Sequence, residues 1–351
     1  MIYLSFILVY LFALIAIGIV KSRKIHTQSD FALAGRALTP WVLVGTMLAS
    51  WIGTGSILGN AGKTYETGMA ALMLPIGSIL GIIILTRIAG KVRSYEKYTV
   101  PEIIGDRYGP VARNLSVFAL VMAYMVIVSY QYNAGGAVLY TVLADNTGTS
   151  IISIELATII AAVFIIAYTI LAGLLSVAYT DAANSIIMTL ALVISLPILW
   201  IKAGSWDGME TAFAAMNKSQ HMQFGGVYSI MDIFNFCLPP FLLVIGDANM
   251  YQRFSASKDV QSARHSTTIL VFAVLVIELL IIASAWVSSS MIPQAEVGKH
   301  VLIYAAHQFL PTFLGAIMLT TIVGIIISTA DSFLLVPVSY THLTLPTILL
   351  V

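Results

Sequence analysis

Nine apolar runs of about 20 residues, separated by short polar stretches, constrain this chain more than any other feature, because that length of helix crosses a hydrocarbon core of ~30 Å. They cover residues 2–20, 39–60, 68–89, 114–143, 150–172, 177–201, 228–250, 267–291 and 311–337. Lipid offers backbone groups no hydrogen-bond partner, so only helices and closed barrels span it. The alternating segments of about ten residues that a barrel needs are absent. The expected fold is therefore an all-α polytopic membrane protein in a lipid bilayer. Composition agrees: 59% of residues are hydrophobic and 9% charged, against roughly 25% charged in soluble domains. A formal net charge of +1 gives no basic excess for nucleic acid, and a single cysteine, Cys237, excludes an internal disulfide.

The first run lacks a basic leader and a small-residue cleavage site and is followed by Lys21, Arg23 and Lys24, so it reads as an uncleaved helix. With nine spans, only Lys63, Lys202, Lys218 and Lys299 fall on one side of the membrane. The rest of the 17 lysines and arginines fall on the other. The positive-inside rule makes the richer side cytoplasmic and puts the N-terminus outside, in a plasma or bacterial inner membrane. Residues 338–351, VSYTHLTLPTILLV, show neither a helical stripe nor a basic loop and resemble translated adapter sequence. They are read as a non-native tail, the alternative being a short proline-broken helix end. In both cases the natural protein is expected to continue.

Within the second run, SWIGTGSILG (residues 50–59) carries three glycines, each costing roughly 1 kcal/mol relative to alanine in a helix interior. Gly55 and Gly59 form a GxxxG, as do Gly77 and Gly81, and close helix packing explains both pairs. Gly53 to Ser56 also suit an unwound turn that offers carbonyls to a cation. A second interruption favours that turn: Pro239-Pro240 removes two amide donors in the middle of the seventh run. The interrupted runs lie five apart and so cross the membrane in opposite directions, as inverted five-helix repeats require. Paired interruptions of this kind point to a transporter's midplane site.

The run AYTILAGLLSVAYTDAANS (residues 167–185) resembles the signature of the sodium/solute symporter family, whose members take up proline, sugars, sialic acid, pantothenate and other solutes. FALAGRAL (31–38), YTVPEIIGDRY (98–108), QRFSASK (252–258) and STADS (328–332) resemble further family blocks in the same order. The resemblance implies the fold of the bacterial leucine transporter. An extra N-terminal helix and loop (1–38) would precede a first five-helix repeat (39–202), with residues 228–337 supplying the first three helices of a C-terminally truncated second repeat.

The resemblance also implies a sodium site formed by the carbonyls of Ala49, Ile52 and Ile325 and the hydroxyls of Ser328 and Thr329. Residues three and four apart share a helix face, and neutral oxygens hold a dehydrated Na⁺ without a bare carboxylate. Back-bonding of the two hydroxyls to the preceding turn is the alternative. Asp181 matches a second-sodium residue of some members, but Ile325 stands where those members carry a hydroxyl, which favours Asp181 as a cap at the start of the sixth span. Glu278, in the eighth span without a basic residue at its depth, suits either ion coupling or a hydrogen-bonded protonated state. Asp331 is expected in a solvated inner vestibule. Trp51, Gly53, Ser56, Tyr130, Gln131 and Pro240 would line the solute.

These features predict a sodium-driven symporter for a small organic solute, with Na⁺ as coupling ion and no other cofactor. Each Na⁺ contributes ~2.3 kcal/mol per 100 mV of membrane potential, about 50-fold accumulation. The alternative is a transporter-like sensor domain of a larger signalling protein. A channel fits paired interruptions less well. No GxSxG, HExxH or metal-spaced His/Cys cluster points to an enzyme.

Overall fold

The computed structural model describes residues 2–22, 27–144, 150–225, 227–293, 298 and 300–348. Arg23, Lys24 and Lys299 of the charge sorting, and residues 349–351 of the predicted tail, lie outside the described residues. Among the described residues no β-strand forms. Two isolated bridges, Leu38 with Ser257 and Ala144 with Ser150, are the extended pairings that occur.

In chain order the helices are α1 (Ile2–Ser22), α2 (Gln28–Leu33), α3 (Pro40–Trp51), α4 (Ala61–Thr67), α5 (Ile76–Ser94), α6 (Val100–Tyr108), α7 (Pro110–Val142) and α8 (Ile154–Lys202). They continue with α9 (Ser205–Ala215), α10 (Ile230–Gly246), α11 (Ala248–Ala256), α12 (Val260–Ser289), α13 (Val301–Gln308) and α14 (Thr312–Ile348). Among the described residues, six helical stretches are long and apolar enough to cross a membrane, or seven if the bent pair Pro40–Trp51 and Gly55–Met73 counts as one span. Two of the nine predicted spans have physical reasons to stand outside that set. The helix at Ile154–Ile170 is short, and α5 carries Arg87, Lys91 and Arg93 in its second half.

Several boundaries move. Residues 68–73, predicted to open the third span, instead form a 3₁₀ turn that finishes the second, and α5 begins after Pro75. Proline fixes φ near −65° and has no amide to donate, so a helix starts readily behind it. α8 holds the predicted fifth and sixth spans, divided at Gly173 (φ 57, ψ 167), a conformation that glycine alone adopts without strain. α14 runs through Pro337 to Ile348, past the predicted end of its span. The ring's φ suits a helix, and the loss there is one amide donor.

α14 is the central helix: 72% of its apolar window is buried, against 11% for α7 and for the α10–α11 stretch, whose faces are left for lipid. α8 packs against α3, α7 and α14, while α5 receives α10 and α12. The α5–α10 seam is built on Gly77 and Gly81. A Cβ added at Gly77 would lie 2.0 Å from the Cys237 carbonyl oxygen, and one at Gly81 would lie 2.1 Å from Val244 Cγ1. This GxxxG is a packing motif, as small residues let helix backbones approach. The Gly55/Gly59 pair is different: no neighbouring atom lies within 4 Å of a Cβ at either position, so close packing does not account for them.

Gly77→Ala is expected to destabilise the fold by about 1–3 kcal/mol through overpacking of α5 against α10. Gly59→Ala should be neutral or gain up to about 1 kcal/mol from helix propensity. Thermal unfolding in detergent measures both, and the opposite order would contradict this packing.

Candidate functional site

The first interruption lies at residues 52–54. α3 stops at Trp51, and Ile52 turns to an extended conformation (φ −77, ψ 92). The chain resumes as a π-helical turn, Gly55–Asn60, with an overall bend of 52°. The Gly53 carbonyl accepts from the amides of Ser56 and Ile57, each at 3.1 Å, so the break retains internal hydrogen bonds.

The second interruption is not at Pro239-Pro240. Both prolines lie inside α10, which continues to Gly246, and the chain turns at Asp247 (φ −75, ψ 104) before α11. The proline φ fits a helix, and here the helix absorbs the two lost amide bonds and the ring's crowding of the preceding turn without breaking. Gly246-Asp247 pairs a poor helix residue with a good N-cap, a sequence signal that the proline pair overshadowed. The Asp247 carboxylate accepts from the Asn249 amide at 3.0 Å and the Tyr124 hydroxyl at 2.9 Å. The Tyr251 hydroxyl donates to the Ile245 carbonyl at 2.8 Å, satisfying an acceptor freed by the break.

At the first break the predicted ion ligands come together in part. The Thr329 hydroxyl donates to the Ala49 carbonyl at 3.3 Å, and a Cβ on Gly53 would lie 2.9 Å from Thr329 Oγ1. Glycine at 53 is what lets α14 approach the broken helix. Ile52 and Ile325 are both buried here, Ile325 one turn before Ser328 and Thr329 on α14. Ser328 points elsewhere: its hydroxyl donates to the Asp181 carboxylate.

Asp181 does not cap a helix. It lies well inside the second half of α8, 0% exposed, where Gly45 of α3 packs directly on Ala182. Its carboxylate accepts from Thr46 Oγ1 at 2.6 Å and stands 3.7 Å from the Arg253 guanidinium. Arg253, assigned to a loop by the charge sorting, is likewise 0% exposed on α11. It also donates to Ser332 at 2.6 Å, Thr46 at 3.1 Å and the Asn249 carbonyl at 3.3 Å, and Ser332 meets Ser50 at 3.1 Å. This network ties α3, α8, α11 and α14 together. Sequence reading missed Arg253 because it lies past the end of the apolar run, next to an apparent loop. Asp331 is also buried, 1% exposed, and accepts from Thr169, so the expected solvated vestibule is not its environment.

A cavity of 940 Å³ opens beside the two breaks. Its wall includes every predicted solute residue: Trp51, Gly53, Ser56, Tyr130, Gln131 and Pro240. Thr329 lines it as well, so the ion ligands and the cavity share a residue. Gln131 accepts from the Thr54 hydroxyl, bracing α7 against the first break. Gly55 and Gly59 face this space, which explains their open surroundings. Glu278 of α12 also lines it, 2% exposed, accepting from Ser56 Oγ at 2.6 Å and Asn60 Nδ2 at 3.0 Å.

Several apolar helices, two of them interrupted beside one cavity, define a polytopic membrane protein. The model of the "Sodium:solute symporter family" matches residues 31–344, and the chain belongs to that family. The sodium/proline symporter of Escherichia coli (strain K12) is 28% identical over 210 residues, covering 58% of this chain and 41% of that protein. The sodium/glucose cotransporter of Vibrio parahaemolyticus is 27% identical over 306 residues, covering 80% of this chain and 54% of the relative. The chain thus matches about half or less of the length of these relatives. A solved Na⁺-coupled sialic acid symporter, in a substrate-bound outward-open state, shares the fold with a TM-score of 0.81 at 16% identity. The match covers 98% of this chain and 74% of that one.

Removing one member of a buried charge pair leaves the other uncompensated, at a cost of about 3–5 kcal/mol. Asp181→Ala and Arg253→Ala are each expected to lower stability on that scale. The double variant should lose less than the sum of the two, as thermal unfolding in detergent would measure. Additive losses would show that the pair is not coupled.

Proposed function

We propose that this chain is the transport unit of a sodium-coupled symporter that imports a small organic solute by alternating access. The observation that carries the reading is the Thr329–Ala49 contact at the first break, on the wall of the 940 Å³ cavity. In this reading Na⁺ inserts between α3 and α14, replaces that hydrogen bond, and takes the carbonyls of Ala49, Ile52 and Ile325 with the hydroxyls of Ser328 and Thr329. The solute occupies the adjoining cavity against Trp51, Gly53, Ser56, Tyr130, Gln131 and Pro240. Because Thr329 faces both, ion binding and solute binding stabilise the same arrangement of the broken helix, which is the differential contact that coupling needs.

Asp181 is a positioning residue here. Its carboxylate holds the Ser328 hydroxyl and is itself balanced by Arg253, so the cationic partner of Asp181 is supplied by the protein. That favours one coupling ion over a second sodium at Asp181. The repeat assignment fits the two breaks: residues 39–202 form the first five-helix repeat, 228–337 the first three helices of the second, and 1–38 the preceding helix and loop. Both breaks adopt an extended turn, ψ 92 at Ile52 and ψ 104 at Asp247. The lopsided lysine and arginine distribution supports an outside N-terminus.

The test is uptake into proteoliposomes with and without an inward Na⁺ gradient, for proline, glucose and sialic acid, the solutes that its relatives and structural neighbour are named for. One solute should accumulate only with Na⁺. Ser328→Ala and Thr329→Ala should each raise the Na⁺ concentration for half-maximal uptake by about tenfold or more, the scale of one hydrogen bond to a charged group. Uptake indifferent to Na⁺, or unchanged Na⁺ dependence in both variants, would contradict the assignment.

A further inference from the structure

The carboxylate of Glu278 has no role in the ion site, although it is buried and lines the cavity. Each of its oxygens accepts one hydrogen bond from a neutral donor, Ser56 on Oε1 and Asn60 on Oε2. Acceptance at both oxygens is the pattern that suits the anion. Among the described residues, no lysine or arginine forms an ion pair with it. A buried carboxylate without a cation is costly, and a cation arriving from the cavity removes that cost.

A second carboxylate shares the wall. Asp247 also lines the cavity, with the Tyr124 hydroxyl and the Asn249 amide as hydrogen-bond donors. Lys63 is the basic residue of the lining, and its ammonium is already committed to Glu66 at 2.8 Å and to the face of Phe236 at 5.3 Å. The cavity wall therefore carries two carboxylates against one ammonium that is already paired, which favours a cationic group entering it.

We propose that Glu278, braced by Ser56 and Asn60, is the recognition site for an ammonium group on the transported solute. The inference rests on the cavity being the solute chamber. It selects amines and zwitterions bearing a free ammonium over neutral or purely anionic compounds of the same size.

The purified full chain at saturating Na⁺ is titrated with n-butylammonium, butanamide and butyrate, four-carbon probes of the three charge types, with ligand-induced thermal shift as readout. Wild type should bind n-butylammonium at least about tenfold more tightly than the other two, and Glu278→Gln should abolish that preference. Equal affinities in wild type, or a preference retained in Glu278→Gln, would overturn the proposal. If Glu278→Gln does not fold, the wild-type ranking decides: ammonium first supports the site, and any other order overturns it. If increasing Na⁺ displaces n-butylammonium competitively, the carboxylate is an inorganic cation site and the solute assignment fails. Because binding is read here and Na⁺-driven uptake is read for the symport reading, the two fail separately.

Discussion

A polar group in hydrocarbon must find its partner inside the protein, and the architecture here depends on how two helix interruptions meet that demand. At the first, the Gly53 carbonyl takes two amides of the following turn, and the Ala49 carbonyl takes the Thr329 hydroxyl. At the second, Asp247 caps α11 while Tyr251 satisfies the Ile245 carbonyl. Neither break is held by its own segment alone. α14 closes the first and Tyr124 of α7 braces the second, so the helices that support the breaks also wall the cavity between them.

The Asp181–Arg253 pair extends the same logic to charge. Two ionised groups at 0% exposure persist because each is hydrogen-bonded by hydroxyls from other helices: Thr46 and Ser328 on the acid, Thr46 and Ser332 on the base. That pair stands beside Ser328, one proposed ion ligand, through its hydrogen bond to Asp181, and α3, α8, α11 and α14 converge on it. The polar cluster that supports the fold thus adjoins the proposed ion site. A substitution there is expected to alter both.

Much of this was legible in the sequence because apolar run length reports directly on helices in lipid, and Gly53 marked the first break correctly. The six residues assigned to the solute all reached one cavity, since the break and its facing helices fix that wall. What misled was local chemistry with two readings. Pro239-Pro240 suggested a break, yet proline's φ fits a helix and the interruption formed at Gly246-Asp247. Gly55 and Gly59 read as packing residues because GxxxG is defined by spacing, while the partner surface that would make it a seam exists only at Gly77 and Gly81. Asp181 looked like a cap and Arg253 like a loop residue, because burial of a charge depends on partners distant in sequence, here on four different helices.

The central claim is that Thr329 and Ala49 form one cation site across the first break. Binding of radiolabelled Na⁺ to the purified chain, compared between wild type and Thr329→Ala, tests it most directly. Wild type should bind Na⁺ saturably, and the variant about tenfold or more weakly with its fold retained. Equal Na⁺ affinity in the two proteins would contradict it.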